Sequence, residues 1–178
     1  MIVSPLFVSV IVRTYGWIIL LSPNGPIDAM LPNGWKLGLL HTEAAIVIGL
    51  MHIYVPFMVL ALNAAIFKVD KRLLLAAASL GASNLRVFRD ILLPPSLPGV
   101  VSGCVIVFSI SMTAFSTPVL LGGSSNKTMP YLIYQQNLLL ANWHFGSALA
   151  IVLLIVTVGV VRGVNMLLER GKARAALQ

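Results

Sequence analysis

Four apolar runs alternate with more polar stretches along the chain. The second, Ala44 to Phe67, and the third, about Leu97 to Leu121, are each long enough to cross a hydrocarbon core. Such a core is roughly 30 Å thick and takes about 20 apolar residues in an α-helix. The fourth runs from about Phe145 to Val161, and reaches Leu168 if Arg162 lays its stem along the helix and lifts its head to water. The first, Ile2 to Leu21, is interrupted by Arg13 and is short for a span, so it reads as the outer end of a span whose inner part is short or missing. The pattern predicts an all-α, polytopic transmembrane helical bundle of about three full spans plus a partial N-terminal one, a single membrane domain over residues 1–178. Residues 22–43, with Pro23, Gly25, Pro26, Pro32 and Gly34, read as one loop, and residues 122–143 as another. Trp17, Trp35 and Trp143 are placed as interfacial anchors.

Charge orients these runs. Lys68, Lys71, Arg72, Arg86 and Arg89 fall between the second and third spans, and Arg162, Arg170, Lys172 and Arg174 follow the fourth. Residues 22–43 hold only Lys36, and residues 122–143 only Lys127. Positive loops face the cytoplasm, so residues 67–93 and the C-terminus are expected there, and the other two loops on the periplasmic side.

Composition agrees. The chain is 58% hydrophobic and 10% charged, with a mean hydropathy of +0.96. A soluble domain is about 25% charged, so a chain this poor in charge does not cover a water-facing surface. The net charge of +7 reports orientation in the membrane rather than nucleic-acid binding. The lone Cys104 excludes an intramolecular disulfide and reads as a small packing residue. No basic segment precedes the first apolar run and no clear cleavage site follows it, so a signal peptide is not expected. No repeat or low-complexity segment is present.

The most specific segment lies between the second and third spans, KRLLLAAASLGASNLRVFRDILLPPSLPGV, Lys71 to Val100. Asp70 suits the N-cap of a helix from Lys71 to Leu80, where its carboxylate accepts from free backbone N–H groups. LLLAAASL has high helix propensity. Gly81 can close that helix with a positive φ. Ser83 can cap a second helix, roughly Asn84 to Leu92, and Pro94 and Pro95 are expected to end it before the next span. Leu73, Leu74, Leu80, Leu85 and Phe88 are too apolar for a solvated loop. Ala76, Ala77 and Ala78 permit close approach. Two roles fit: an amphipathic helix on anionic lipid, or a helix docking into a groove on a soluble partner.

The spacing Ala76-Ala77, three residues, Gly81, nine residues, Ile91-Leu92-Leu93-Pro94 resembles the cytoplasmic Glu-Ala-Ala loop of binding-protein-dependent ABC importer permeases. Arg13-Thr14-Tyr15-Gly16-Trp17, Leu21-Ser22 and Asn24-Gly25 resemble the spermidine/putrescine-type members. Nearly the whole chain is covered. Leu75 stands where the motif has Glu, and such permeases usually have six spans, so the chain resembles the C-terminal two-thirds of one. The resemblance implies a bacterial inner-membrane protein whose loop residues Leu75, Ala76, Ala77, Gly81, Ala82, Ser83, Leu85, Phe88, Ile91 and Pro94 couple to cytoplasmic ABC ATPase subunits. ATP would be bound by those subunits, with no cofactor in this chain. It further implies a second permease subunit, a periplasmic substrate-binding protein, and polyamines or a related small organic solute as cargo. A truncated or degenerate permease without transport, and a fragment of a secondary transporter, are the alternatives.

Other polar residues are less telling. Ser109, Thr113 and Ser116 fall near one helical face at i, i+4 and i+7 and are candidates for pathway lining. Packing around Gly103 competes with that role. His52 and Asn63 inside the second span suit either function or an interhelical hydrogen bond. Tyr54 and Pro56 suggest a kink. His41 and Glu43 read as a solvated interfacial pair, with contact to a binding protein or a cationic substrate as the alternative, His144 reads as interfacial, and Arg13 reads as an anchor at the outer interface, with a gate residue as the alternative. Gly123 to Thr128, GSSNKT, misses the phosphate-loop pattern for want of two glycines and a preceding strand, and Asn126-Lys127-Thr128 formally matches a glycosylation acceptor. No metal-spaced cluster and no nucleophile beside a base is present, so enzyme activity is not expected.

Overall fold

The computed structural model describes residues 4–30, 38–123 and 126–175. Trp35 and Lys36 lie outside them. Among the described residues all regular structure is helical. After a 3-10 turn at Ser4–Phe7 come α1 (Val10–Leu21), α2 (Pro26–Met30), α3 (Glu43–Ile66) and α4 (Lys71–Ser79). Helix α5 (Asn84–Met112) is followed by α6 (Ser116–Gly122), α7 (Met129–Tyr134) with a π-helical extension Gln135–Leu139, and α8 (Trp143–Ala175). Helix α3, helix α5 and residues Trp143–Met166 of α8 are long and apolar enough to cross a membrane.

Four expected boundaries move, each for a reason tied to proline. The third span ends at Met112 instead of Leu121. Pro118 has no N–H to continue a helix from above, but it sits comfortably in the first turn of α6, where the N–H groups lack intrahelical partners anyway. Residues 122–143 are more than a loop, because Pro130 in the first turn of α7 starts a helix that runs on to Leu139. Pro26 opens α2 in the same way within residues 22–43. Conversely, Pro94 and Pro95 do not end the second loop helix. Helix α5 runs through them because Val87–Leu92 is π-helical, with the Leu93 N–H donating to the Phe88 carbonyl five residues back. The wider turn accommodates proline rings that an α-turn would push into the carbonyl four residues earlier. Pro56 likewise lies inside α3 without interrupting it.

The chain divides into two units, residues 1–56 with 109–160, and residues 57–108 with 161–178. The first has its core at Leu21, Ala45, Ile46 and Leu121, with Trp17, Ile18 and Leu50 packed around it. Gly49 gives the room for this: a Cβ there would run into Leu121 Cδ1 and come within 3.0 Å of Thr117 Cγ2. In the second unit, Gly99 and Gly103 of α5 lie against Ala65 and against Met58 and Ala61 of α3. This is the small-residue packing that lets membrane helices approach closely. Cys104 is exposed rather than packed.

Candidate functional site

Helix α4 starts as its sequence suggests. The Arg72 N–H donates to Asp70 Oδ1 at 2.8 Å, so the carboxylate caps the first turn. The Leu80 N–H still bonds the Ala76 carbonyl, and the chain then reverses as the Ala82 N–H returns to the Ala77 carbonyl. Gly81 makes that reversal with φ +74°, in the left-handed region where a side chain is disfavoured. A Cβ there would meet nothing within 4 Å, so the demand for glycine comes from the backbone alone. Ser83 occupies the N-cap of the second arm with extended backbone but makes no side-chain capping bond.

The two arms present an apolar surface. Leu75 is 69% exposed, Leu80 87% and Leu85 78%, with Leu73 and Phe88 more than half exposed. Among the described residues of α4 Ala77 is buried, on the side that Leu73 and Leu80 flank at i−4 and i+3. Arg72, Arg86 and Arg89 are exposed around this surface. Ser83, Leu85, Arg86, Arg89 and Asp90 line an open cleft of about 260 Å³ on the second arm. Ile91 and Pro94 lie farther along α5, near the end of its π-helical segment and two residues beyond it.

The expected common face of Ser109, Thr113 and Ser116 is not formed. Ser109 is in the last turn of α5, Thr113 is in the turn that follows, and Ser116 opens α6. Thr113 Oγ1 donates to the Ile110 carbonyl at 2.9 Å, and its N–H goes to the same oxygen, which closes the end of α5. Phe115 and Tyr134 meet at a tilt beside the break, with ring centroids 5.0 Å apart.

At the start of α3, His41 adopts φ +67°. Its N–H donates to the Leu121 carbonyl at 2.9 Å, and Asn126 Nδ2 donates to the His41 carbonyl at 2.8 Å. Asn126 therefore ties a loop together, a role that neither the phosphate-loop comparison nor the glycosylation match suggested. Glu43, Ile46, Val47, Asn126, Lys127 and Thr128 line an open cleft of about 390 Å³ there. His52 meets Trp17 edge to face, ring centroids 5.6 Å apart, while Asn63 is exposed. No group of three or more potential metal ligands occurs among the described residues.

A profile of the binding-protein-dependent transport system inner membrane component family matches residues 1–173. The chain belongs to this family. It is 36% identical over 177 residues to the spermidine/putrescine transport system permease protein PotB of Haemophilus influenzae, covering 96% of this chain and 62% of that protein. Against PotB of Escherichia coli it is 36% identical over 162 residues, covering 88% and 58%. The chain thus spans about three-fifths of the length of these relatives. The crystal structure of a bacterial ABC transporter involved in the import of the acidic polysaccharide alginate superposes with a TM-score of 0.81 at 21% identity, covering 94% of this chain and 63% of that one. The all-α fold of this family member is therefore that of an ABC transporter membrane subunit, and its family is one of transport permeases rather than enzymes.

Proposed function

We propose that this chain is a membrane-spanning permease subunit of an ATP-driven importer in the bacterial inner membrane, and that its cargo is a polyamine of the spermidine/putrescine kind or a related small organic solute. The loop of residues 67–93 lies in the cytoplasm, as does the C-terminus, and couples the chain to separate ATPase subunits that bind the ATP. A second permease subunit completes the pathway, and a periplasmic binding protein delivers the solute to the outer face. The observation that carries the coupling role is the two-armed loop: an apolar surface of Leu73, Leu75, Leu80, Leu85 and Phe88 left uncovered, hinged at a left-handed Gly81. Apolar area of this kind is satisfied by a groove on a partner. The solute class is supported by the names of the PotB relatives at 36% identity. Ser109, Thr113 and Ser116 remain candidates for pathway lining, with Thr113 at a break in the helix and not on a continuous face.

The test is affinity purification of the tagged, detergent-solubilised protein from cells expressing its neighbouring transport genes, beside a variant lacking residues 73–88. An ATPase that co-purifies with the intact chain and is lost with the deletion, together with ATP-dependent uptake of labelled spermidine, supports the proposal. Uptake driven by an ion gradient with no ATPase bound would point to a secondary transporter. Good insertion with neither uptake nor ATPase would return the loop to a lipid surface.

A further inference from the structure

Within the second unit, α3 and α5 bound an open groove of about 300 Å³. Helix α3 and the turn after it give Ala61, Ala64, Ala65 and Lys68, at i, i+3, i+4 and i+7 on one helical face. Helix α5 gives Pro95, Pro98, Ser102 and Ile106, again at intervals of three and four. The groove has a tight floor, because a Cβ on Gly99 would collide with Ala65. Its walls ask for no hydrogen bond. Pro95 and Pro98 have no N–H, and the Ser102 hydroxyl donates to the Pro98 carbonyl at 2.8 Å. Among the lining residues the one charge is Lys68, exposed two residues past the end of α3. A channel that is apolar along its length and cationic at its mouth fits a molecule with an alkyl chain and an anionic head.

Depth narrows the choice. Pro95 and Ile106 are eleven residues apart, about 16 Å along a helix axis. That is close to half of a core roughly 30 Å thick, the depth of a single leaflet. Beyond Ala61 the next turn of α3 brings in Met58, whose thioether takes up the space beside Gly103. A transmembrane helix would need the groove to continue across the whole core, and an acyl chain of one leaflet does not.

We propose that this groove is a binding site for an anionic phospholipid of the cytoplasmic leaflet, with Lys68 at the phosphate and one acyl chain laid along Ala64, Pro98 and Ser102. The choice of leaflet rests on the loop orientation proposed above, and the site is independent of the cargo. An ammonium holds a phosphate as a point charge, and basic openings between membrane helices on the cytoplasmic side hold anionic headgroups. Lys71 and Arg72 follow three and four residues later, which keeps that edge of the membrane positive.

The test exposes the assembled transporter, and separately the full-length chain alone, to phosphatidylglycerol with a photoreactive acyl chain. Phosphatidylcholine with the same chains is the comparison. Adducts mapped by peptide mass spectrometry should fall on residues 61–68 and 95–106. Phosphatidylglycerol should be captured about fivefold more than phosphatidylcholine, the preference expected of one lysine near the surface. Lys68→Met should erase that preference and keep the adducts. Ala64→Phe, at an exposed position beside the helix contact, should cut capture of both lipids at least tenfold. Ile155→Phe, on the exposed face of α8, should change neither. Equal capture of the two lipids by the wild type, or undiminished capture by Ala64→Phe, overturns the site. Capture by the chain alone that disappears in the assembled transporter assigns the groove to a partner helix and overturns it too. If Ala64→Phe fails to insert, Lys68→Met decides, and a preference that survives it overturns the proposal. Alkaline phosphatase active after Ala175 would instead overturn the leaflet, and with it the orientation, while the adduct positions still report on the groove.

Discussion

Thr14 and Thr117 share a buried hydrogen bond of 3.1 Å, and its direction can be assigned. Thr14 Oγ1 already donates to the Val10 carbonyl at 2.8 Å, so it accepts from Thr117. Loss of Thr14 leaves the Thr117 hydroxyl buried without that acceptor, whereas loss of Thr117 leaves Thr14 with its carbonyl. Thr14→Val should therefore destabilise the folded chain by about 1–3 kcal/mol and Thr117→Val by less, with the double variant close to the milder single one. Thermal unfolding of the four proteins in one detergent checks this, and equal losses would remove the assigned direction. At Gly81 the consequence is conformational. A residue with a Cβ pays roughly 1–2 kcal/mol for a left-handed backbone, so Gly81→Val should insert normally, reopen the angle between the loop arms, and hydrolyse ATP without matching uptake. Transport assayed beside ATPase activity in proteoliposomes reads both quantities. Gly81 and the Asp70 cap were legible in the sequence, because both answer to the backbone within a few residues. The tie between Asn126 and His41 was not, because its two partners lie 85 positions apart and nothing local to either selects the other.

At the scale of elements, prolines decide where helices stop, and by their position within a turn more than by their presence. Pro118 sits in the first turn of α6 and restarts a helix, Pro56 and Pro98 lie inside helices, and Pro94 and Pro95 follow a π-helical segment. Uniform apolarity hides these differences, since a span covered by lipid or by another helix keeps little alternation from which to read a boundary. A signal for the break was present in the polar run Ser109 to Thr117 followed by Pro118, and reading it as one face of one helix missed the turn. Proline costs about 3 kcal/mol in a helix interior. Pro118→Ala should therefore lower the barrier to a helix running through residues 113–117. Slower hydrogen exchange of those amides is the expected sign. It should come with lower thermal stability, because rotating Thr117 withdraws it from Thr14 and Gly49.

Across the whole molecule, the three apolar helices of spanning length coincide with three of the expected spans, since length and absence of charge suffice to mark them. Orientation rests on the basic residues. Alkaline phosphatase fused after Ala175 should be inactive, and the same enzyme inserted between Lys127 and Thr128 should be active, while a green fluorescent protein reports the reverse pattern. Activity at both positions would overturn the proposed topology. The exposed loop surface belongs to this scale as well. A charge placed on an exposed leucine of the loop, as in Leu75→Lys, should reduce ATPase recovery at least tenfold, whereas Ser79→Ala should not, by quantitative co-purification.

The clasp at His41 also has a timetable. Its carbonyl waits for an asparagine 85 residues downstream, and ribosomes add about 5–20 residues per second, so the wait lasts roughly 4 to 17 s. Through that interval the nascent chain already holds α1, α3 is completed early in it, and the end of α6 that closes over them is made only near its close. Thr14 passes the same interval with its hydroxyl turned to its own helix. The entrance to α3 thus stays unclasped until Asn126 is made, and over that interval a newborn chain is open to an insertase or a membrane protease at His41.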